Sequence, residues 1–305
     1  MSAQTAAGPG DAAARAASDL RARYRAAGIR PAKRLGQHFL ADLNLARKIV
    51  AEIGPPDAAS PVLEIGPGLG ALTFLLAAAG HAAVAVEIDP RLGDWLAEAL
   101  APWPRVEVIT ADIRSFPLER VAASRLRVVG NLPYYLTSEI LLGLKRESAR
   151  IASAVVMMQD EVATRLLAAP GSRAYSSLTV ALALDFAIES CFRVPRQAFW
   201  PAPDVDSAIV RLTPLAAAAG GALASPARRA LVERVVRAGF AHRRKTLASS
   251  LAAELPIPRP RLETHLRALD LDPTRRAETL APVDFVRLAA ALAVEIAPLC
   301  AENES

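Results

Sequence analysis

The segment Gly130-Asn131-Leu132-Pro133-Tyr134 carries the most specific chemistry in this chain of 305 residues. It holds no serine, cysteine or histidine to act as nucleophile and no general base. It does offer two oxygen acceptors, the Asn131 side chain and the Leu132 carbonyl. Pro133 fixes the direction of the preceding carbonyl, and Tyr134 supplies an aromatic face. Acceptors beside a ring suit a planar base with an exocyclic amine such as N6 of adenine. Hydrogen bonds from the N–H groups favour a geometry that exposes the nitrogen lone pair, and Tyr134 stacks the base once it has left its helix or loop. Attack of such an amine on a sulfonium methyl needs positioning and acceptor dipoles more than acid or base catalysis, because the methylated cation loses its proton readily. A second aromatic candidate, Phe199, lies in the proline-stiffened run from Phe199 to Ser207 and is expected to close the other side of the base pocket, while Trp200 suits core packing equally well.

The second chemical feature is Glu64-Ile65-Gly66-Pro67-Gly68-Leu69-Gly70-Ala71, a glycine-rich turn directly after an apolar run. Gly66 and Gly68 let the backbone turn sharply and approach a nucleotide cofactor with no Cβ in the way. The pattern also fits G-x-G-x-x-A, so by itself it leaves a nicotinamide cofactor and an oxidoreductase open. Twenty-one positions after Gly66, Glu87 ends the next strand, where a carboxylate can accept from both ribose hydroxyls. Asp112 ends the third strand and is placed to accept from an adenine amino group, with a helix N-cap as its ordinary alternative. Glu64 is expected to act indirectly, holding the glycine loop or meeting the cofactor amine through water.

These residues need a frame. Between Pro61 and Ile151 short β-branched runs alternate with longer apolar-periodic stretches, which predicts a parallel sheet with helices on its faces. Strands are predicted at 62–65, 83–88, 106–110, 126–130 and 153–158, and helices at 72–79, 91–99 and 161–168. An antiparallel pair within 192–212 closes the sheet. The Ala/Gly run from 214 to 225 reads as a linker, and helical spacing resumes at 231–240, 262–269 and 283–296. Fold class is therefore α/β with a small all-helical C-terminal domain.

Composition narrows the partners. The balance of 36 Lys+Arg against 31 Asp+Glu gives a net charge of +5 and a pI near 9.6, which favours a polyanionic partner. Cys191 and Cys300 are too few for a zinc cluster or a disulfide framework, and the four histidines lack metal-ligand spacing, so no metal is expected. No apolar run is long enough to cross a bilayer, and residues 1–19 lack the apolar core of a secretion signal, from which a cytoplasmic location is expected.

Taken together, these motifs resemble the bacterial 16S ribosomal RNA adenine dimethyltransferases. The likeness runs from Lys33 to Phe285. It rests on Lys33 to Leu40, the glycine loop, Val86-Glu87-Ile88-Asp89, Gly130 to Tyr134, Met158 to Ala163, Pro170 to Tyr175, Phe199 to Ser207 and Arg243-Arg244-Lys245-Thr246-Leu247. The resemblance implies a Rossmann-like class I methyltransferase domain over 31–214 after a disordered tail (1–30), and a helical RNA-binding domain over 215–305. It implies S-adenosyl-L-methionine as cofactor, held by His38, Leu40, Gly66, Gly68, Glu87, Asp112 and Asn131. It also implies dimethylation of two neighbouring adenosines in a hairpin loop near the 3′ end of 16S rRNA, in the assembling small subunit; nothing in the sequence suggests an obligate dimer, so a monomer is expected. Two positions depart from the family pattern, where asparagine is common: His38 and Tyr135. Arg30, Lys33 and Arg34, with Arg243, Arg244 and Lys245, are candidates for phosphate contacts. The alternatives are a 23S rRNA adenine methyltransferase of the antibiotic-resistance kind and an assembly factor that binds RNA without catalysis.

Overall fold

The computed structural model describes residues 28, 30–32, 35–215 and 225–296. The expected tail and linker lie almost wholly outside the described residues, as do Lys33, Arg34 and Cys300. Two compact units appear, one from Met1–Ala163 with Ile188–Pro214, the other from Thr164–Ala187 with Leu215–Ser305.

The first unit is an α/β sheet. Its strands are β1 (Phe39–Leu40), β2 (Val62–Ile65), β3 (Ala83–Glu87), β4 (Val106–Thr110), β5 (Leu126–Asn131), β6 (Ile151–Gln159), β7 (Phe186–Val194), β8 (Phe199–Trp200) and β9 (Ser207–Pro214). Seven of them form one sheet in the order β4-β3-β2-β5-β6-β9-β7, while β1 and β8 pair separately and antiparallel. From β4 to β6 all pairs are parallel, and β9 joins β6 antiparallel. Every residue of β2 is buried, as are the first five of β5, which explains their unbroken apolar character: a parallel strand covered on both faces has no solvent side to alternate with. Helices α1 (Leu43–Ile53), α2 (Thr73–Ala78), α3 (Pro90–Leu100) and α4 (Thr137–Arg146) accompany these strands. Asp42 starts α1 by accepting from the Asn44 and Leu45 amides, and Ala46, Ile49 and Ile53 form its buried face.

Strand order reverses between β2 and β5. The chain leaves β2 toward β3 and β4, then returns to β5 on the other side, so the crevice beyond the ends of β2 and β5 is the switch point where open α/β sheets bind ligands. Ile65 and Gly130 are register partners there. A Cβ on Gly130 would meet the Ile65 carbonyl oxygen at 2.5 Å, so this position accepts only glycine without a shift of backbone. The glycine-rich turn and the Asn-Leu-Pro-Tyr segment thus leave adjacent strands at the same level.

The second unit is helical: α5 (Asp160–Leu166) leads toward it, and α6 (Ser177–Ala183), α7 (Pro226–Phe240), α8 (Leu247–Glu254), α9 (Arg259–Ala268) and α10 (Pro282–Ile296) build it. Sequence patterning leaves residues 164–187 in the sheet domain, yet they belong to this unit. Tyr175 and Val180 are fully buried in its core beside Val235, Leu251 and Phe285, and the Tyr175 hydroxyl donates to the Leu280 carbonyl at 2.9 Å. Within the motif Pro170 to Tyr175, Tyr175 is therefore a packing residue, while Arg173 stays exposed. Arg243, Arg244 and Lys245, expected on or beside a helix, lie in the turn between α7 and α8, whose first turn Thr246 caps by accepting from the Ser249 amide.

Candidate active site

The cleft at the β2/β5 switch point gathers most of the residues singled out by their chemistry. His38, Leu40, Gly66, Gly68, Glu87, Asn131, Leu132, Pro133 and Tyr134 all line it, with Leu35, Gly36, Gln37, Glu64 and Ile88. Two expected members are elsewhere.

Asn131 ends β5, and its Nδ2 donates to the His38 backbone carbonyl at 2.8 Å. A carbonyl oxygen only accepts, so this bond fixes which end of the amide is nitrogen and leaves Oδ1 as the end available to a ligand N–H. Leu132 is buried and anchors the turn through its amide, which donates to the Met157 carbonyl at 3.0 Å. The Pro133 carbonyl accepts from the Leu136 amide and from the Thr137 hydroxyl, which seats the loop on the start of α4. Tyr134 is held at both ends: its hydroxyl pairs with the Ser207 hydroxyl at 2.9 Å, and its ring stacks on His38 with centroids 5.8 Å apart and planes 21° from parallel. Burial raises the Tyr134 phenol above its ordinary range, so it is neutral. His38 Nδ1 lies 2.8 Å from the Pro201 carbonyl, which can only accept, so Nδ1 is the donor of this bond. Ser207 closes the Phe199 to Ser207 motif, but its pairing with Tyr134 is a contact across the sheet that residue spacing does not show.

The cofactor side is built on Glu87. Its carboxylate accepts from the Gly68 amide at 2.9 Å and the Asp89 amide at 3.0 Å, which clamps the glycine loop to the end of β3. Burial pushes the Glu87 carboxyl up, against those two amides and with the Asp89 charge adding to the rise. Gly68 has φ +55°, and a Cβ there would meet the Phe39 ring at 2.7 Å, so β1 lies directly over the loop. Gln37 ties the same segment down by donating to Asp89 Oδ2 at 3.1 Å.

Beneath them lies Glu64, 1% exposed; its Oε2 and the Thr73 hydroxyl beside it make no hydrogen bond of full geometry, so Thr73 is at most a weak partner for the carboxyl. Burial is the main cause that pushes this carboxyl up to about 8, with the Thr73 hydroxyl opposing and the Glu87 charge reinforcing. An orphaned acid on the wall of a cleft with a bare-backbone cradle fits a ligand carrying a cationic group, which would supply the missing partner.

Asp112 does not line the cleft. It follows Ala111, whose amide donates to the Glu87 carbonyl, so it sits beside the cofactor side, but its carboxylate turns to Arg114. Arg114 donates to it from its own amide at 2.9 Å and from Nε and Nη2 at 3.0 and 2.6 Å, and holds its carboxyl below the usual carboxylate range. Phe199, expected on the base pocket, is buried in the sheet-domain core at 3% exposure and also lies off the cleft wall, since its pairing with Leu40 in the β1/β8 ribbon brings it into that core; the half-buried residue is Trp200.

A sheet that is parallel through its switch point carries there a glycine cradle and an acceptor-lined, aromatic-walled cleft, features that suit a nucleoside-type cofactor and a planar amine. The chain belongs to the ribosomal RNA adenine dimethylase family, whose model matches residues 29–293. It is 42% identical over 265 residues to the ribosomal RNA small subunit methyltransferase A of Levilactobacillus brevis, covering 84% of this chain and 88% of the relative. It is 43% identical over 277 residues to the protein of the same name from Geobacillus kaustophilus, covering 86% and 90%. Among solved structures it is similar to a dimethyladenosine transferase from Plasmodium falciparum, with TM-score 0.72, 24% identity and coverage of 85% and 98%, a likeness of fold. It is also similar to the 23S rRNA methyltransferase ErmE, with TM-score 0.61, 30% identity and coverage of 83% and 99%. The family membership removes the oxidoreductase alternative. The Rossmann-like methyltransferase sheet expected from the motifs is the fold found. Among the described residues no helix is long and apolar enough to cross a membrane, and no group of three or more His, Cys, Asp or Glu could hold a metal ion.

Proposed function

We propose that the chain transfers methyl groups from S-adenosyl-L-methionine to N6 of two adjacent adenosines in a hairpin loop near the 3′ end of 16S rRNA, during assembly of the small subunit in the cytoplasm. The observation that carries this reading is the hydrogen bonding of Asn131: with Nδ2 committed to the His38 carbonyl, Oδ1 is left as an acceptor, which is what an adenine N6 donor requires. Asn131 Oδ1 and the Leu132 carbonyl accept from the amine and direct its lone pair, and Tyr134, braced by Ser207 and His38, stacks the extruded base. The cofactor supplies an electrophilic methyl. Gly66, Gly68, Glu87, His38 and Leu40 would hold it, with Glu64 facing its positive charge, and the tight cleft keeps donor and acceptor in line. Asp112 contributes to adenine binding only by sharing its carboxylate with Arg114, and Phe199 supports the cleft from behind.

The helical unit would hold RNA. Arg173, Arg243, Arg244 and Lys245 are all exposed, and Arg243 Nη2 donates to the Arg173 carbonyl at 3.0 Å, which draws the two basic segments together. Identity of 42–43% to small-subunit enzymes against 30% to ErmE supports the small subunit as substrate. The test is mass spectrometry of nucleosides after incubation with cofactor and unmethylated small subunits, and separately with 23S rRNA. Dimethyladenosine in the first sample alone is expected. Product in the 23S sample alone would assign the resistance-type reaction, and product in neither would assign a non-catalytic assembly role.

A further inference from the structure

Tyr135 is the residue at the cleft mouth that the chemistry above leaves unused. The residue is 57% exposed, the most exposed aromatic residue among those described, and it directly follows Tyr134. The two tyrosines part company: Tyr134 turns in to Ser207 and His38, whereas Tyr135 makes no hydrogen bond with the described residues and stays at the rim. The ring is nevertheless seated. Its Cδ1 and Cε1 atoms lie 3.5 and 3.6 Å from where a Cβ of Gly36 would be, so one edge rests on the backbone of a residue that lines the cleft.

We propose that Tyr135 is a stacking platform for the nucleotide base immediately next to the target adenosine, a positioning residue that holds the flanking base while its neighbour occupies the cleft. Pulling a base out of an RNA loop strips a stacking face from its neighbour, and an exposed aromatic ring one residue from the extruded base restores it. Base stacking is tolerant of base identity and needs only an accessible π face, which a supported, unbonded tyrosine supplies. The chemical class of the ligand is therefore an unpaired nucleobase in RNA, contacted through its ring. The idea rests on the proposed adenine N6 reaction, which it deepens.

The test uses the full chain and an adenosine-containing hairpin RNA with 2-aminopurine beside the target position, read by fluorescence quenching independently of turnover. Wild-type protein is expected to quench it. Tyr135→Ala and Tyr135→Asn should lose the quenching and raise KM for RNA about ten-fold, with kcat within two-fold. Tyr135→Phe should restore both. Replacing the flanking nucleotide by an abasic one should raise the wild-type KM to that of Tyr135→Ala and leave the Ala variant unchanged, a response that a merely structural tyrosine would not give. Normal turnover with no wild-type quenching, or equal penalties from the abasic site in wild type and Ala variant, would overturn the platform. Quenching without methyl transfer by wild type would instead overturn the proposed reaction and leave the platform standing.

Discussion

Two strand ends in the same sheet treat their acids in opposite ways. At the end of β2, Glu64 is fully buried with an unpartnered oxygen, while just past β4, Asp112 is partly exposed and wrapped by Arg114. The first has lost water and gained no partner, so its neutral form is favoured. The second keeps water and a guanidinium, so its charge is favoured. Both stand beside the cofactor side of one crevice, yet only the buried one has a binding capacity that a cationic ligand would complete. Position at a strand end identifies a candidate; the partner it already has decides what it can do.

The pH dependence of stability tests this contrast most strongly. Glu64 ionises near 4.5 when unfolded and near 8 when folded, so the folded chain binds more protons across that window. Stability of the cofactor-free protein should fall as pH rises from about 4.5 to about 8, by up to ~1.4 kcal/mol per pH unit from this group. Glu64→Gln should flatten the slope in urea titrations run at several pH values; an unchanged slope would place the charge elsewhere. A smaller effect is expected from Gly130→Ala. The new Cβ must displace the Ile65 carbonyl on the adjacent strand β2, which should cost about 1–3 kcal/mol, read as a lowered Tm. Smallest is Arg114→Ala. It removes solvent-exposed ion pairs with Asp112 and Glu139, which water already screens, so stability should barely change. The loss should also be reduced at high salt, and a large, salt-insensitive loss would mean that Asp112 and Arg114 form part of the core.

The strands, the glycine turn and the Asn-Leu-Pro-Tyr segment were legible because each is local: apolar runs make the parallel strands, and a sharp turn needs its glycines where they stand. Features that depend on distant partners were not. Asp112 is a separate case: Arg114 stands only two positions on, but residue order alone does not say whether its guanidinium folds back on the carboxylate or faces solvent. Phe199 looked available because prolines surround it, and its burial comes from pairing with Leu40, far upstream. Residues 164–187 carry apolar residues suited to either unit, and only Tyr175 bonding Leu280 reveals which core they fill. Ser207 bracing Tyr134 is likewise a contact across the sheet.

The central claim is that Asn131 Oδ1 directs the amine of the target adenosine. Single-turnover methyl transfer by Asn131→Ala, with RNA binding measured on the same protein, tests it most directly. Removing one fixed acceptor dipole should slow transfer by roughly 10²–10³-fold and leave RNA affinity within about two-fold. Transfer at the wild-type rate by a variant that binds RNA normally would contradict the account.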